Sequence, residues 1–183
     1  MKLVNEQDIV EVISKDKWMM DVIRQVATLK LPDWWICAGF IRAKIWDELH
    51  GFSEKTILPD VDVIYFDSNQ LDKQNEKLFE KELNKLDPTI PWSVKNQARM
   101  HTLNQVEPYT SSIDGMSKFP ETATAIGISL DEKGELHLCA PYGVEDLITM
   151  RIRPTPYFEG SKIYYDRVKL KKWSTTWPKV TVE

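Results

Sequence analysis

The stretch Leu58-Pro-Asp-Val-Asp-Val-Ile-Tyr-Phe-Asp67 combines a predicted β-strand with two closely spaced carboxylates. Its β-branched and aromatic residues favour a strand, and Pro59 stands just before it, where the missing N–H costs least. Side chains alternate along a strand, so Asp60 and Asp62 should leave the same face. Such a pair can hold one divalent cation or bridge two, as in phosphoryl and nucleotidyl transfer. The alternative is that both are turn and rim residues.

The segment directly upstream predicts a strand that turns into a helix. Residues 34–39 are nearly all apolar and predict a buried strand, and apolar residues at helical spacing predict a helix over 40–50. Gly39 therefore stands at the transition. The backbone N–H groups of residues 40–42 should be unpaired there and could seat a phosphate, and Arg42 could add a charged contact. The alternative is a structural glycine beside a solvated arginine.

The rest of the chain predicts an alternation of helices and strands, with a loop rich in Pro and Gly signals at 104–120. The predicted helices cover residues 5–30 (with a break near 14–15), 70–86 and 144–150, and residues 98–103 predict a short helix or a turn. The predicted strands cover 92–97 and a hairpin of 122–130 with 135–139.

Two polar regions could contact a nucleotide. Lys95, Asn96, Arg99 and His101 form a dense cluster that could face a nucleotide or be ordinary surface. The C-terminal segment 157–183 interleaves basic and aromatic side chains, which suggests contact with RNA or a nucleotide. The alternative is a helix that packs its aromatic residues on the domain and leaves its lysines in water.

Composition limits the class of protein. The 183 residues carry 42% hydrophobic and 28% charged side chains, typical of a globular protein, and the net charge of −4 argues against a surface built to wrap nucleic acid. The N-terminus lacks the apolar core of a signal peptide, and no apolar run reaches membrane-spanning length. We therefore expect a cytoplasmic protein without a membrane partner. Cys37 and Cys139 fit free thiols better than a disulfide framework, although a single bridge remains open.

Several short motifs, taken in order, resemble one family. Ala38-Gly-Phe-Ile-Arg42, Leu49-His-Gly51 and Asp60-Val-Asp62 are similar to the opening of the head domain of class II CCA-adding enzymes and poly(A) polymerases. That opening runs Gly-Gly-x-Val-Arg-Asp, then a helix ending in Leu-Gly, then Asp-x-Asp. Lys133-Gly-Glu-Leu136 and Ala140-Pro-Tyr-Gly-Val-Glu-Asp-Leu147 resemble later motifs of the same head, and the order agrees across about residues 34–153.

The whole chain is more closely similar to a family of bacterial nucleotidyltransferase-like proteins. The hallmarks of that family are matched at residues 46–51, 94–101, 120–125 and 153–156. The resemblance implies the fold of the polymerase-β-like superfamily and does not imply a particular substrate.

The sequence departs from the head-domain pattern at several positions. The first glycine of the pair is Ala38, and the aspartate after the arginine is Ala43. The third metal-binding carboxylate of the superfamily is not obvious, and Glu121, Asp114 and Glu107 are candidates. The resemblance does not extend to the neck, body and tail domains that position tRNA, so CCA addition itself is not expected.

We therefore expect a single α/β domain over residues 1–183, with a small mixed sheet flanked by helices. Its core would span about 34–153, between the N-terminal helices and the basic aromatic segment 157–183. The resemblance implies a Mg²⁺-dependent nucleotidyltransferase that moves a nucleoside monophosphate from a nucleoside triphosphate to an unknown acceptor, such as RNA or a small molecule. The alternatives are a non-catalytic nucleotide- or RNA-binding module on the same fold and a purely structural partner protein, which would show no change with nucleotide.

Each candidate residue then has an implied role. Asp60 and Asp62 would be catalytic and would bind the metal ion, with Glu121 as the candidate third carboxylate. The nucleotide-binding candidates are Gly39, Phe40, Arg42, Lys95 and Arg99.

Overall fold

The structure, a computed structural model, describes residues 3–104 and 106–183. Within this part of the chain the strands of the main sheet are β1 (Trp35–Cys37), β2 (Val61–Tyr65), β3 (Trp92–Asn96), β4 (Gly127–Leu130) and β5 (Leu136–Cys139). Their order across the sheet is β3-β2-β1-β4-β5. Strands β2 and β3 are parallel and the other neighbours are antiparallel, so the prediction of a small mixed sheet flanked by helices is confirmed.

Helices connect and cover these strands. In chain order they are α1 (Glu6–Lys15), α2 (Lys17–Ala27), α3 (Gly39–His50), α4 (Lys73–Leu86), α5 (Gln97–Asn104), α6 (Ser112–Ser117), α7 (Glu145–Ile148), α8 (Lys162–Lys171) and α9 (Trp173–Thr176). A 3₁₀ turn (Pro156–Phe158) precedes α8, and two short parallel strands, β6 (Arg151–Ile152) and β7 (Thr181–Val182), form a separate ladder. None of the described helices is both long and apolar enough to cross a bilayer.

The strand, helix and strand that the sequence predicts around Gly39 are confirmed. Strands β1 and β2 are antiparallel neighbours with Cys37 opposite Asp62, and α3 connects them. The helix ends where Gly51 adopts a positive φ of 70°, a conformation that glycine adopts without steric cost.

The two faces of the sheet have different roles, because side chains alternate along each strand. Val61, Val63 and Tyr65 face the main hydrophobic core together with residues of the N-terminal helices and α3. Ile64 has the opposite orientation and joins a smaller cluster around Cys37, Ala38 and Met116. Asp62 is two residues before Ile64, so its side chain leaves the same face of the sheet, the one covered by the smaller hydrophobic cluster.

The N-terminal helical pattern is confirmed, with its break at Asp16. The Asp16 side chain accepts a hydrogen bond from the Met19 amide at 3.0 Å and so starts α2, while its own amide closes the last turn of α1. Asn5 and Asp8 form a capping box at the start of α1.

The predicted loop at 104–120 is wrong in part. Residue 105 lies outside the described residues, but Ser112–Ser117 form α6, with Ser111 as the N-cap. Gly115, which suggested a loop, lies within α6, where a Cβ would stand 2.6 Å from Oε1 of Gln97 and 3.1 Å from Cδ2 of Tyr109, so the close packing there favours glycine. The hairpin is also shorter than predicted, because residues 121–126 turn around Glu121 before β4 begins.

The two cysteines are free. Gly127 in β4 is paired with Cys37 on one side and with Cys139 on the other. The thiols are therefore two strand spacings apart, about 10 Å, which exceeds the reach of a disulfide.

Candidate active site

A cavity of about 250 Å³ opens where the start of β2 approaches the start of α3. Asp60 and Asp62 line it from the strand, and Gly39 and Arg42 line it from the helix. Four residues that the sequence singles out as metal- or nucleotide-binding candidates therefore border one space. The C-terminal segment contributes further side chains to the same lining, namely Arg167, Lys171, Trp173 and Trp177.

The two aspartates differ in burial. Asp60 is exposed, whereas Asp62 is half-buried and lies opposite Ser93 of the neighbouring strand β3. Burial, followed by the negative charge of Asp60, raises the pKa of Asp62 above its ordinary value. Ionised Asp62 is therefore disfavoured in the ligand-free fold, and a divalent cation between the carboxylates would reverse that repulsion.

The start of α3 differs from the sequence expectation in two ways. The residue with the unusual backbone is Ala38, at φ 57° and ψ −117°, and not Gly39, which is already helical. The amides of Ile41 and Arg42 are not free, because both donate to the Ala38 carbonyl at 3.2 and 3.0 Å. Among the described residues, the amides of Gly39 and Phe40 donate no hydrogen bond, so they remain the candidate phosphate donors.

Ala38→Gly is expected to stabilise the protein. The observed dihedrals match a turn position that glycine adopts freely and that strains other residues by about 1–3 kcal/mol. Relief of this strain is partly offset by the lost contacts of the methyl group and by the greater entropy of glycine in the unfolded chain. We therefore expect the free energy of unfolding to rise by about 1 kcal/mol. Chemical denaturation measures the change.

The control for Ala38→Gly is Ala43→Gly, the same substitution in the regular part of α3. Ala43 is equally buried, and glycine in a helix interior costs about 1 kcal/mol relative to alanine. A loss of stability in Ala38→Gly as large as in Ala43→Gly would contradict the strained start of α3.

Arg42 is buried rather than solvated, with 7% of its surface exposed. Its guanidinium lies between two indole rings, with Cζ 5.4 Å from the ring centroid of Trp46 and 5.3 Å from that of Trp173, and Nη1 donates to Oγ1 of Thr124 at 2.7 Å. Burial lowers the pKa of Arg42 to about 10, with the nearby Glu121 opposing the shift, so the group stays charged at neutral pH. A fixed, charged guanidinium in a cavity wall is suited to binding an anion.

The candidates for a third carboxylate do not join the aspartate pair. Within residues 3–104 and 106–183, no group of three or more His, Cys, Asp or Glu side chains is arranged to hold a metal ion. Glu121 is fully buried and accepts a hydrogen bond from Arg167. Asp114 forms an ion pair with Lys118, and Glu107 is exposed.

The C-terminal segment, which the sequence offered as a possible contact for RNA or a nucleotide, supplies two basic residues of the site that were not among the individual site candidates. Its aromatic side chains Tyr164, Trp173 and Trp177 are buried, as the packing alternative predicted. Arg167 and Lys171, one helical turn apart on α8, nevertheless line the cavity. Their spacing of four residues indicates that they share one face of the helix. The sequence alone does not show which basic residues of a helix face a site.

A second cavity, of about 220 Å³, adjoins the first. Ala38, Asp62 and Arg167 border both cavities, so together they form one cleft with two arms, which we call the aspartate arm and the Lys95 arm. The Lys95 arm is lined by Lys95 and by Phe119 among other polar and apolar residues. Lys95 thus lies at the cleft, as a nucleotide-binding role requires.

Arg99, the other nucleotide-binding candidate of the predicted polar cluster, lies elsewhere. Arg99 donates through Nε and Nη2 to the fully buried Glu76, each at 2.6 Å, and it lines neither arm of the cleft. Asn96 binds backbone groups of the turn after β2, including the Asp67 amide at 3.0 Å. These contacts hold α4 and the β2–α4 turn to β3, so we leave Arg99 out of the proposed site.

Asp47 ties together the parts of the chain that surround the aspartate arm. Its carboxylate is buried and accepts hydrogen bonds from the amide and hydroxyl of Thr56 and from the indole Nε1 of Trp177, each at 2.7 Å. Thr56 belongs to the segment just before Asp60, and Trp177 follows α9. The sequence offered no signal for this contact, because it joins residues 130 positions apart.

Comparison with known protein families shows which family the chain belongs to. A family model described as a nucleotidyltransferase matches residues 24–182. The chain belongs to this nucleotidyltransferase family. The family resemblance that the motifs carry is thereby confirmed, and the cleft at the Asp-x-Asp strand lies within the matched region.

Solved structures support the same family and fold. The chain is 35% identical to a protein whose NMR structure reveals a CCA-adding enzyme head domain, with a TM-score of 0.88 over 100% of this chain and 98% of that chain. It also matches the Thermotoga maritima CCA-adding enzyme complexed with tRNA, at 13% identity and a TM-score of 0.58, and a CCA-adding enzyme with CTP, at 12% and 0.61. It covers 98% and 100% of its own length in these two matches but only 42% and 44% of theirs, so they show the fold alone. No curated protein matches the chain.

Proposed function

We propose that this nucleotidyltransferase-family protein transfers a nucleoside monophosphate from a nucleoside triphosphate to an acceptor, with Mg²⁺ as cofactor. The observation that carries the proposal is the aspartate arm. A pair of carboxylates, Gly39 and a buried arginine border the same cavity, and among the described residues the amides of Gly39 and of the adjoining Phe40 donate no hydrogen bond. These are the groups needed to hold a metal ion and a triphosphate together.

The residues present fit a magnesium site. Asp60 and Asp62 offer only oxygen ligands, which Mg²⁺ prefers, and their mutual repulsion favours a bound cation. Asp60 is exposed enough to leave room for the water molecules that Mg²⁺ retains. When bound, the ion would neutralise charge on the reacting phosphoryl oxygens.

The chain's own residues would position the triphosphate. The amides of Gly39 and Phe40, at the positive end of the α3 dipole, would donate to phosphate oxygens, and Arg42 would add a charged contact from the cavity wall. Lys171 lines the same arm and would balance further negative charge. Catalysis would then come mainly from orientation and from charge neutralisation at the α-phosphorus, where pyrophosphate leaves.

The acceptor would enter through the Lys95 arm. In-line displacement needs the attacking hydroxyl and the leaving pyrophosphate on opposite sides of the phosphorus, and the two arms meet at Asp62. The Lys95 arm continues past Phe119 into a wider surface hollow of about 720 Å³ that includes Tyr157 and Phe158. A small acceptor could fit the arm alone, and an RNA end could stack in the hollow.

A second function, a non-catalytic nucleotide- or RNA-binding module, is favoured by one observation. The described residues bring only two carboxylates, and no third, to a common metal-binding position. Such a module would bind nucleotides through the same amides and arginine without turnover.

We also propose a cytoplasmic location. Both cysteines are free, which suits a reducing compartment, and nucleoside triphosphates are the proposed substrates.

Transfer assays with labelled nucleotides test the proposal. ATP, GTP, CTP and UTP carrying an α-phosphate label are incubated with the protein, with total RNA or a small-molecule extract as acceptor, and with or without Mg²⁺. We expect Mg²⁺-dependent transfer of the label with release of pyrophosphate. Nucleotide binding without transfer to either acceptor pool would favour the binding module, and the absence of both transfer and binding for every nucleotide would contradict the transferase.

A further inference from the structure

A buried ion pair joins the segment before β4 to α8. Glu121 is 0% exposed, and its Oε1 accepts a hydrogen bond from Nε of Arg167 at 2.5 Å. Its second oxygen, Oε2, is buried and has no hydrogen-bond partner among the described residues. A buried carboxylate is costly unless its charge is compensated, so Glu121 holds the Arg167 side chain strongly in this position.

Arg167 keeps most of its donor groups available at the cleft. In the described chain its side chain donates one hydrogen bond, from Nε, which leaves both terminal nitrogens of the guanidinium without partners. The side chain is 31% exposed and borders both arms, as Asp62 does. A residue with two free guanidinium nitrogens therefore lines both arms of the cleft.

The charges around Arg167 favour an anion there. Its positive charge lowers the pKa of the nearby Arg42, so the two guanidinium groups repel each other across the cavity. Glu121 lies near both guanidinium groups, and Lys171 adds a third cation to the lining of the aspartate arm, which also contains Asp60 and Asp62. With a divalent cation held by the aspartate pair, these three cations would favour a bound anion such as a phosphate.

We propose that Arg167 is a phosphate-binding residue at the junction of the two arms, and that Glu121 is its positioning residue rather than a third metal ligand. The inference rests on the proposed function, because the phosphate is that of the nucleoside triphosphate. The planar fork of a guanidinium matches two phosphate oxygens, and a fork fixed through Nε loses little freedom on binding.

Calorimetric titration of Arg167→Lys tests this role. The probes are inorganic triphosphate and each nucleoside triphosphate, at fixed salt and with Mg²⁺. Lysine keeps a cation beside Glu121 but removes the fork, so we expect about 10- to 100-fold weaker binding of both kinds of probe. Arg153→Lys is the matched control: Arg153 also binds a carboxylate, that of Asp146, but lies outside both arms, and its affinity should change less than about twofold.

A double-mutant cycle tests the positioning role of Glu121. Glu121→Gln should weaken triphosphate binding, and it should have no further effect in the Arg167→Ala background, because it acts through Arg167. The double variant removes both buried charges together, so it avoids leaving Glu121 without its partner. Melting temperatures of all four proteins separate stability from affinity.

The outcomes are distinguishable. Equal triphosphate affinity in the wild type and in Arg167→Lys would overturn the inference and leave the proposed function standing. Additive losses in the cycle would overturn the role of Glu121. A wild-type protein that binds neither inorganic triphosphate nor any nucleoside triphosphate would overturn both the inference and the proposed function.

Discussion

Asp60→Asn and Asp62→Asn are each expected to abolish Mg²⁺-dependent nucleotide binding and to reduce nucleotidyl transfer by about a thousandfold or more. The amide keeps the size of the carboxylate but loses the charge that would hold the metal ion, and charge stabilisation at the reacting phosphorus is commonly worth several kcal/mol. Calorimetry with and without Mg²⁺ and the labelled-transfer assay measure the two losses.

The same variants should be at least as stable as the wild type when no ligand is present. Burial and Asp60 raise the pKa of Asp62, so the folded state holds that proton more tightly than the unfolded chain does. The free energy of unfolding therefore falls as the pH rises from the ordinary aspartate pKa to the raised pKa of Asp62. Above the raised pKa the whole destabilisation is present. Asp62→Asn removes this penalty at neutral pH.

Asp67→Asn is the matched control for the aspartate pair. Asp67 follows the other end of β2, caps the Asn69 amide at 2.9 Å and lines neither arm of the cleft. It should leave nucleotide binding unchanged. If Asp60→Asn and Asp62→Asn keep the metal-dependent response while losing stability, the two residues are turn and rim residues and the metal site is wrong.

Glu76→Ala is expected to destabilise the protein by about 3–5 kcal/mol, the cost of breaking a buried ion pair by removing one partner. Glu76 is fully buried and accepts hydrogen bonds from Nε and Nη2 of Arg99 and from the Asn96 amide. The substitution leaves the guanidinium and the amide without acceptors and leaves a cavity between α4 and β3. Urea denaturation measures the change.

Glu82→Ala provides the comparison for Glu76→Ala. Glu82 lies on the exposed side of the same helix, so its removal should change stability by less than about 0.5 kcal/mol. A loss below about 1 kcal/mol in Glu76→Ala would mean that the ion pair with Arg99 does not hold α4 to the sheet. It would also reopen the nucleotide-binding interpretation of Arg99.

The sequence predicts the frame of the site well because that frame is local. Alternation along β2 is enough to place Asp60 and Asp62 on the same side, and the strand, Gly39 and the helix after it follow from neighbouring residues. The structure brings these groups to one cavity. The sequence does not show which amides of α3 remain free. That depends on the backbone of Ala38, whose carbonyl accepts hydrogen bonds from the amides of two residues of α3.

The remaining features depend on contacts between distant parts of the chain, which periodicity cannot reveal. Arg42 is buried because Trp173, from the C-terminal segment, covers it. Arg167 reaches the cleft because Glu121, 46 positions earlier, binds it. Arg99 looks like a surface cation in the sequence, and only the packing of α4 on β3 shows that Glu76 is its partner.

An NMR titration of the backbone amides with a non-hydrolysable nucleoside triphosphate analogue, with and without Mg²⁺, tests the central claim most directly. The account predicts that Mg²⁺-dependent shift changes are largest at Gly39 and Phe40 and at the start of β2, and that Asp62→Asn suppresses them. Saturable binding that leaves these amides unchanged, or shifts there that do not depend on Mg²⁺, would contradict it.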